Sequence, residues 1–156
     1  MVIMKYLIVS DSHHNDEILQ KLYKEYPNMD VYIHAGDSCS DIYSIYPFDS
    51  VLGNCDYFPF DEKRIYSSEV GNILLRHHPY ISVEERKNTR IFIHGHTHIA
   101  RVIEEGGLLI INPGSISRPR DNSNGSFAIL KIEGSSICVD VIDVFSKNIL
   151  IHYRIM

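Results

Sequence analysis

Cysteine is scarce in this chain. The three present among 156 residues, Cys39, Cys55 and Cys138, are odd in number and widely spaced. No disulfide framework is therefore indicated. Long apolar runs are missing too. None is longer than Leu108–Ile111, far short of the ~20 residues a membrane helix needs. The N-terminus, Met1-Val2-Ile3-Met4-Lys5, reads into a strand and not into a signal peptide. The expected compartment is the cytoplasm, with no membrane contact. Basic residues are outnumbered, 15 Lys and Arg against 20 Asp and Glu, for a net charge of −5. Stable nucleic-acid binding needs a lysine and arginine face for the phosphates, so none is expected. Internal repeats and low-complexity tracts are also lacking, which excludes a repeat array and a disordered chain. With 44% apolar and 22% charged residues, residues 1–156 read as one ordinary folded domain.

The excess lies in histidine. There are nine, and His77, His78, His94, His96 and His98 fall in one short stretch. His13 and His14 follow the first apolar run. Histidine is the commonest metal ligand. The clustering therefore points to a metal centre.

Strand–helix alternation comes early and hairpins come late. Lys5–Ser10 reads as a strand, followed by a helix over Asp16–Tyr26 with Asn15 placed to cap it. Strands follow at Val31–His34, briefly at Val51-Leu52, and at Arg64–Ser68 and Asn72–Arg76. Ser82-Val83-Glu84-Glu85 has capping-box spacing and opens a short helix. Ile91–His94 is another strand. Ala100–Glu104 with Leu108–Asn112, and Phe127–Ile132 with Ile137–Val144, read as antiparallel pairs. This order predicts a mixed α/β protein with one or two sheets and helices outside. The polar clusters sit at one kind of place. Asp11-Ser12-His13, Gly36-Asp37, Gly53-Asn54, His77-His78, His94-Gly95-His96-Thr97-His98 and Asn112-Pro113-Gly114 each follow an apolar β run. Ligands bind beyond the carboxyl ends of strands in α/β sheets, so six loops of this kind can converge on one site.

Singly, these motifs are ordinary turns or buried histidines. Together and in this order, Asp-x-His, Gly-Asp, Gly-Asn-x-Asp, His and Gly-His-x-His resemble the metallophosphoesterase superfamily with the calcineurin-like fold. The stretch Asn112-Pro113-Gly114-Ser115-Ile116-Ser117-Arg118-Pro119-Arg120 looks like its small bacterial and archaeal phosphodiesterase branch, to which the retromer scaffold subunit is related. The resemblance runs from Met4 to about Val144. It implies two facing mixed β-sheets flanked by helices, a four-layer sandwich. It also implies a phosphodiesterase that uses two divalent transition-metal ions. Asp37 would bridge the ions. Asp11, His13 and His98 would complete the first, and Asn54, His77 and His96 the second. Asp37, Asn54 and His96 would take direct part in catalysis. Imidazole, carboxylate and amide oxygen without thiolate suit manganese, zinc, nickel, iron or cobalt, with manganese the first expectation. Two such ions hold a phosphoryl group and convert a water to hydroxide near neutral pH. The implied partner is a small phosphodiester. The sequence leaves homo-oligomerisation open. Phosphomonoester hydrolysis and a noncatalytic interaction module are the alternatives. The module is disfavoured because every ligand position carries a competent residue.

The chain also departs from the family pattern. His14 stands where glycine is usual, and His78 follows His77 where the family writes His-Gly, so the ligand is His77 or, one residue on, His78. Leu52 replaces a frequent arginine. Cys55 stands where larger relatives carry a leaving-group histidine. His34 and His94 read as packing or supporting residues, and His152 as exposed. Cys39 and Cys138 read as small buried hydrophobes. Asp56 either orients a ligand or caps a turn. Tyr57, Phe58 and Phe60 form a substrate wall or pack in the core. Arg118 and Arg120 reach a phosphate or lie in an exposed loop.

Overall fold

The structure, a computed structural model, describes residues 2–156. Two mixed sheets face each other. The first takes the order β11-β10-β9-β1-β2-β3, the second β4-β5-β6-β8-β7. The first-sheet strands are β1 (Ile3–Val9), β2 (Val31–His34), β3 (Asp49–Ser50), β9 (Ser126–Glu133), β10 (Ser136–Asp143) and β11 (Ile149–Ile155). The second sheet holds β4 (Lys63–Tyr66), β5 (Ile73–Arg76), β6 (Ile91–Ile93), β7 (Arg101–Glu105) and β8 (Leu108–Asn112). Parallel pairing joins β1, β2 and β3 in one sheet and β5, β6 and β8 in the other. Their six carboxyl ends open on the same edge of the sandwich, and from them the polar loops emerge.

The central strands β1, β5, β6 and β8 are largely apolar on both faces, and successive side chains divide between two layers. Tyr6 and Ile8 of β1 meet Ile73, Leu75, Ile91, Ile93, Leu109 and Ile111 between the sheets. Leu7 and Val9, pointing the other way, pack on Leu19 and Leu22 of helix α1 (Asp16–Glu25). In the second sheet Leu74, Phe92, Leu108 and Ile110 point outward and are covered in part by Ile81 and Ile103. Helix α2 (Val83–Lys87) is capped by Ser82 and Glu85 in the expected box, but it buries no side chain of its own. The helical layer is therefore thin on that side.

Several boundaries move. The ladder of β3 lies at Asp49–Ser50, ahead of Val51-Leu52. Val51 still donates its N–H to His34, whereas Leu52 turns away to Asp61. Asn15 occupies the N-cap position of α1 without a side-chain capping bond. The edge strand β11, which carries His152, has no counterpart in the sequence reading.

Candidate metal centre

The loops after β1, β2 and β6 are held in conformations that ordinary residues avoid. Asp11, His13, His14, Asp37, Cys39, His96 and His98 all have φ between 45° and 72°. Such strain gathers at functional sites, where the surroundings enforce it. Backbone bonds provide that enforcement here. Asp11 N–H donates to Gly36, His13 N–H to Asp37 and His14 N–H to Ser38, lacing the β1 loop to the β2 loop. The φ of +68° at His14 accounts for the glycine usual at that position. Asp56 ties the β2 and β3 loops together. Its carboxylate accepts the N–H groups of Asp37 (2.9 Å), Cys39 (2.9 Å) and Gly53 (2.7 Å). Orientation, not turn capping alone, is thus its part.

Across the sheets, His77 at the end of β5 is fully buried. Its Nδ1 lies 2.7 Å from the Ala35 carbonyl. A carbonyl only accepts, so Nδ1 carries the proton and Nε2 keeps a free lone pair. That Nε2 sits 3.2 Å from Asp37 Oδ2 and 3.9 Å from Asp11 Oδ1. His98 repeats the device. Its Nδ1 is 2.7 Å from the Arg118 carbonyl, and its Nε2 is 3.2 Å from Asp11 Oδ1. His96 places Nδ1 3.1 Å from Asn54 Oδ1, and its N–H donates to Asp11 Oδ2. Asp37 Oδ1 accepts the Cys55 N–H at 2.9 Å. Serine hydroxyls at 115 and 117 donate to the Asp11 carbonyl.

Burial works to raise the Asp37 carboxyl. The nearby His77 ring and the Cys55 N–H outweigh it, leaving Asp37 ionised well below the ordinary carboxylate range. Burial lowers His77, but the Asp37 and Asp11 carboxylates more than reverse this and raise it. Two anions around one imidazole call for positive charge between them. His13 and His96 are lowered, first by burial, and then by Arg118 beside His13 and by the other imidazoles beside His96. The neutral ring is the form that binds metal. Three buried polar atoms, Asp11 Oδ1, His13 Nε2 and His77 Nε2, have no hydrogen-bond partner among the described residues. Native structures leave few such atoms, and a cation is one way to satisfy them. The donors of Asp11, His13 and His98, and those of Asp11, Asp37 and His77, lie within 4.8 Å of one another, close enough in each case to hold one ion. The residues therefore fit divalent metal.

The structure brings all seven expected ligand residues to one place. It separates His77 from His78: the latter is exposed, with its ring 4.6 Å from that of His96. His34 is buried and neutral, its pKa lowered to about 3 chiefly by burial. It bonds Ser12 and the Gly36 N–H, which makes it a support for the loops. His94 is likewise buried, against the Gly95 carbonyl. A cavity of about 500 Å³ opens over His13, Asp37, Asn54, His96 and His98, with Arg118, Pro119 and Arg120 on its rim. Phe60 packs into the core and Tyr57 is exposed; neither they nor Phe58 line this cavity.

The cysteines need correction. Cys39 and Cys55 form a disulfide, with Cα atoms 5.5 Å apart. An odd cysteine count and a separation of 16 residues gave no sign of it, because the two loops meet only through the fold. Cys138 is free and half-buried.

Comparison with known proteins agrees with this fold. A probable metallophosphoesterase of Bacillus subtilis, YsnB, is 34% identical over 94% of this chain and 95% of its own. A conserved uncharacterized protein of Streptococcus pneumoniae superposes with a TM-score of 0.85 at 23% identity, over 99% of this chain and 98% of its own. Vps29 of Entamoeba histolytica in complex with Zn2+ superposes with a TM-score of 0.72 at 20% identity, over 97% and 98%. The profile of the calcineurin-like phosphoesterase superfamily domain matches residues 4–135, and on that match, with the strand-end centre behind it, the chain belongs to this superfamily.

Proposed function

We propose that the chain hydrolyses a small phosphodiester with two divalent transition-metal ions, manganese first among them. Asp11, His13, Asp37 and His98 would hold one ion. Asp37, Asn54, His77 and His96 would hold the other. The observation that carries this reading is the set of orphaned buried atoms, Asp11 Oδ1, His13 Nε2 and His77 Nε2, at the junction of the two sheets. When bound, such an ion pair activates water and neutralises phosphoryl oxygens.

The chain's own residues do the rest. The carbonyls of Ala35 and Arg118 fix the tautomers of His77 and His98. Asp56 accepts the Asp37 backbone N–H, and the Cys55 N–H donates to the Asp37 carboxylate, so both ends of Asp37 are held in place. Arg118 and Arg120 on the cavity rim supply positive charge for an anionic ester. No thiol is left at Cys55 to protonate a leaving group. His14 is committed to Ser40 at 3.2 Å. His78, exposed beside His96, is the imidazole left to protonate a leaving group, and without its help a diester with a good leaving group is the substrate class that the site favours.

The test is hydrolysis by metal-stripped protein reloaded with single metals, using aryl and alkyl diesters and an aryl monoester. Elemental analysis should find about two ions per chain. The aryl diester should outpace the alkyl one by roughly 10²–10⁴-fold, the usual value of general-acid help. Faster monoester cleavage moves the assignment to a phosphomonoesterase. No metal after reloading with manganese or zinc overturns it and leaves a noncatalytic module.

A further inference from the structure

His13 differs from its neighbours in the centre. His77 and His98 each give Nδ1 to a carbonyl oxygen. The Nδ1 of His13 faces sulfur instead, with Cys39 Sγ at 3.7 Å and Cys55 Sγ at 3.8 Å. Its Nε2 is the orphaned atom turned toward the carboxylates. The ring therefore stands between two different donor sets.

The sulfur side has the dimensions of a metal site. A tetrahedral ion with metal–sulfur bonds of about 2.3 Å and metal–nitrogen bonds of about 2.0–2.1 Å sets its nitrogen and sulfur ligands about 3.6 Å apart and its two sulfurs about 3.8 Å apart. Both nitrogen–sulfur edges are already close to that length. Only the sulfur–sulfur bond is in the way. The loops do not depend on it, since Asp56 holds the Cys39 N–H and Asp37 the Cys55 N–H. Cys55 is exposed, so a reductant can reach it.

We propose that the reduced chain carries a third cation site, formed by the thiolates of Cys39 and Cys55 with His13 Nδ1, for a thiophilic ion such as Zn2+ or Cd2+. Two thiolates and an imidazole select such ions over manganese or magnesium. A small dithiol opens the site: it delivers two electrons and two protons, the disulfide becomes two thiols, and the dithiol leaves as its own cyclic disulfide. A divalent ion then displaces both thiol protons to the solvent. A neutral imidazole offers one lone-pair nitrogen at a time. An ion on Nδ1 therefore takes Nε2 out of the centre described above, a consequence that rests on the proposed function although the site itself does not.

Cobalt(II) tests the site on the whole chain. Thiolate ligation gives an intense near-ultraviolet charge-transfer band that oxygen and nitrogen ligands do not give, so ions entering the carboxylate centre are not counted. The chain is reduced with a dithiol, freed of it, and its thiols are counted by alkylation and mass. The expected result is a band that saturates with one bound cobalt in the reduced chain and is bleached by Zn2+. The oxidised chain and the Cys39→Ser/Cys55→Ser variant should lack it. A reduced chain that binds cobalt without the band overturns the proposal. So does a band that persists in the oxidised chain, where Cys138 is the thiol left, or a folded chain whose two thiols the dithiol cannot release. The oxidised and reduced comparison needs no variant to fold.

Discussion

At the scale of single residues the centre depends on two glycines as much as on its donors. A Cβ on Gly53 would run into the Asp37 carboxylate, and one on Gly95 into Ser10 Oγ and the Asp11 carboxylate. Gly53→Ala and Gly95→Ala should leave the far-ultraviolet spectrum unchanged while metal affinity falls about 10–100-fold, the usual cost of disturbing the partners of a metal ligand. Titration with manganese followed by calorimetry checks this. His77→Ala should empty part of the centre, and His78→Ala should leave occupancy near wild type, because only His77 is buried against Asp37. Elemental analysis after gel filtration decides between them, and the reverse outcome shifts the ligand by one residue. These donors were legible in the sequence because aspartate and histidine directly after an apolar run are hard to mistake. The left-handed backbone of Asp11, Asp37 and His98 was not, since only the assembled loops impose it. The pairing of Cys39 with Cys55 was hidden for the same reason.

At the scale of elements, α2 is held by one polar knot instead of by apolar burial. Glu85 caps the helix through Ser82 and makes two bonds to Arg76, at 3.0 and 2.6 Å, with Arg76 nearly buried at the end of β5. Hydrogen bonding to Arg76, then to the Ser82 N–H, holds the Glu85 carboxyl well below its ordinary 4.5. Its contribution is therefore complete above about pH 4.5 and is lost as the pH falls through the lower folded-state value. Glu85→Gln should cost about 1.5–3 kcal/mol at neutral pH, the usual worth of hydrogen bonds to a charged group. The gap from wild type should narrow in acid. Urea melts at pH 7 and at pH 3 measure both. The capping box of α2 was plain in the sequence, since Ser and Glu stand at the required spacing. Strand β11 was not. Ile151, Tyr153 and Ile155 do alternate with His152 and Arg154, but the pattern is short and opens on Ile149 and Leu150, both exposed at the sheet edge.

At the scale of the whole molecule, binding of ions by the folded chain alone raises its stability. At a hundredfold excess over Kd the gain is about 2.7 kcal/mol per site. For a chain of this length each kcal/mol moves Tm by about 2–4 °C. Manganese or zinc should therefore raise Tm over chelator-treated protein by roughly 5–10 °C for one filled site, and by about twice that for two, in scanning calorimetry. Asp37→Asn should lose most of that shift, because an amide offers one good ligand oxygen and no charge. An equal shift in the variant would show that the ions bind elsewhere.

The donors arrive from both sheets. Asp11, His13, Asp37 and Asn54 hang from the first, and His77, His96 and His98 from the second. Direct bonds already cross the seam, from His77 to Ala35 and from His96 to Asp11. An ion at this seam would act as a clasp between two halves that otherwise adhere through apolar contacts and a few hydrogen bonds. Its escape rate then reports how often the halves part. Amide exchange in β1 and β5, far apart in sequence, should slow in step when metal is added, and release of one ion should loosen both strands together.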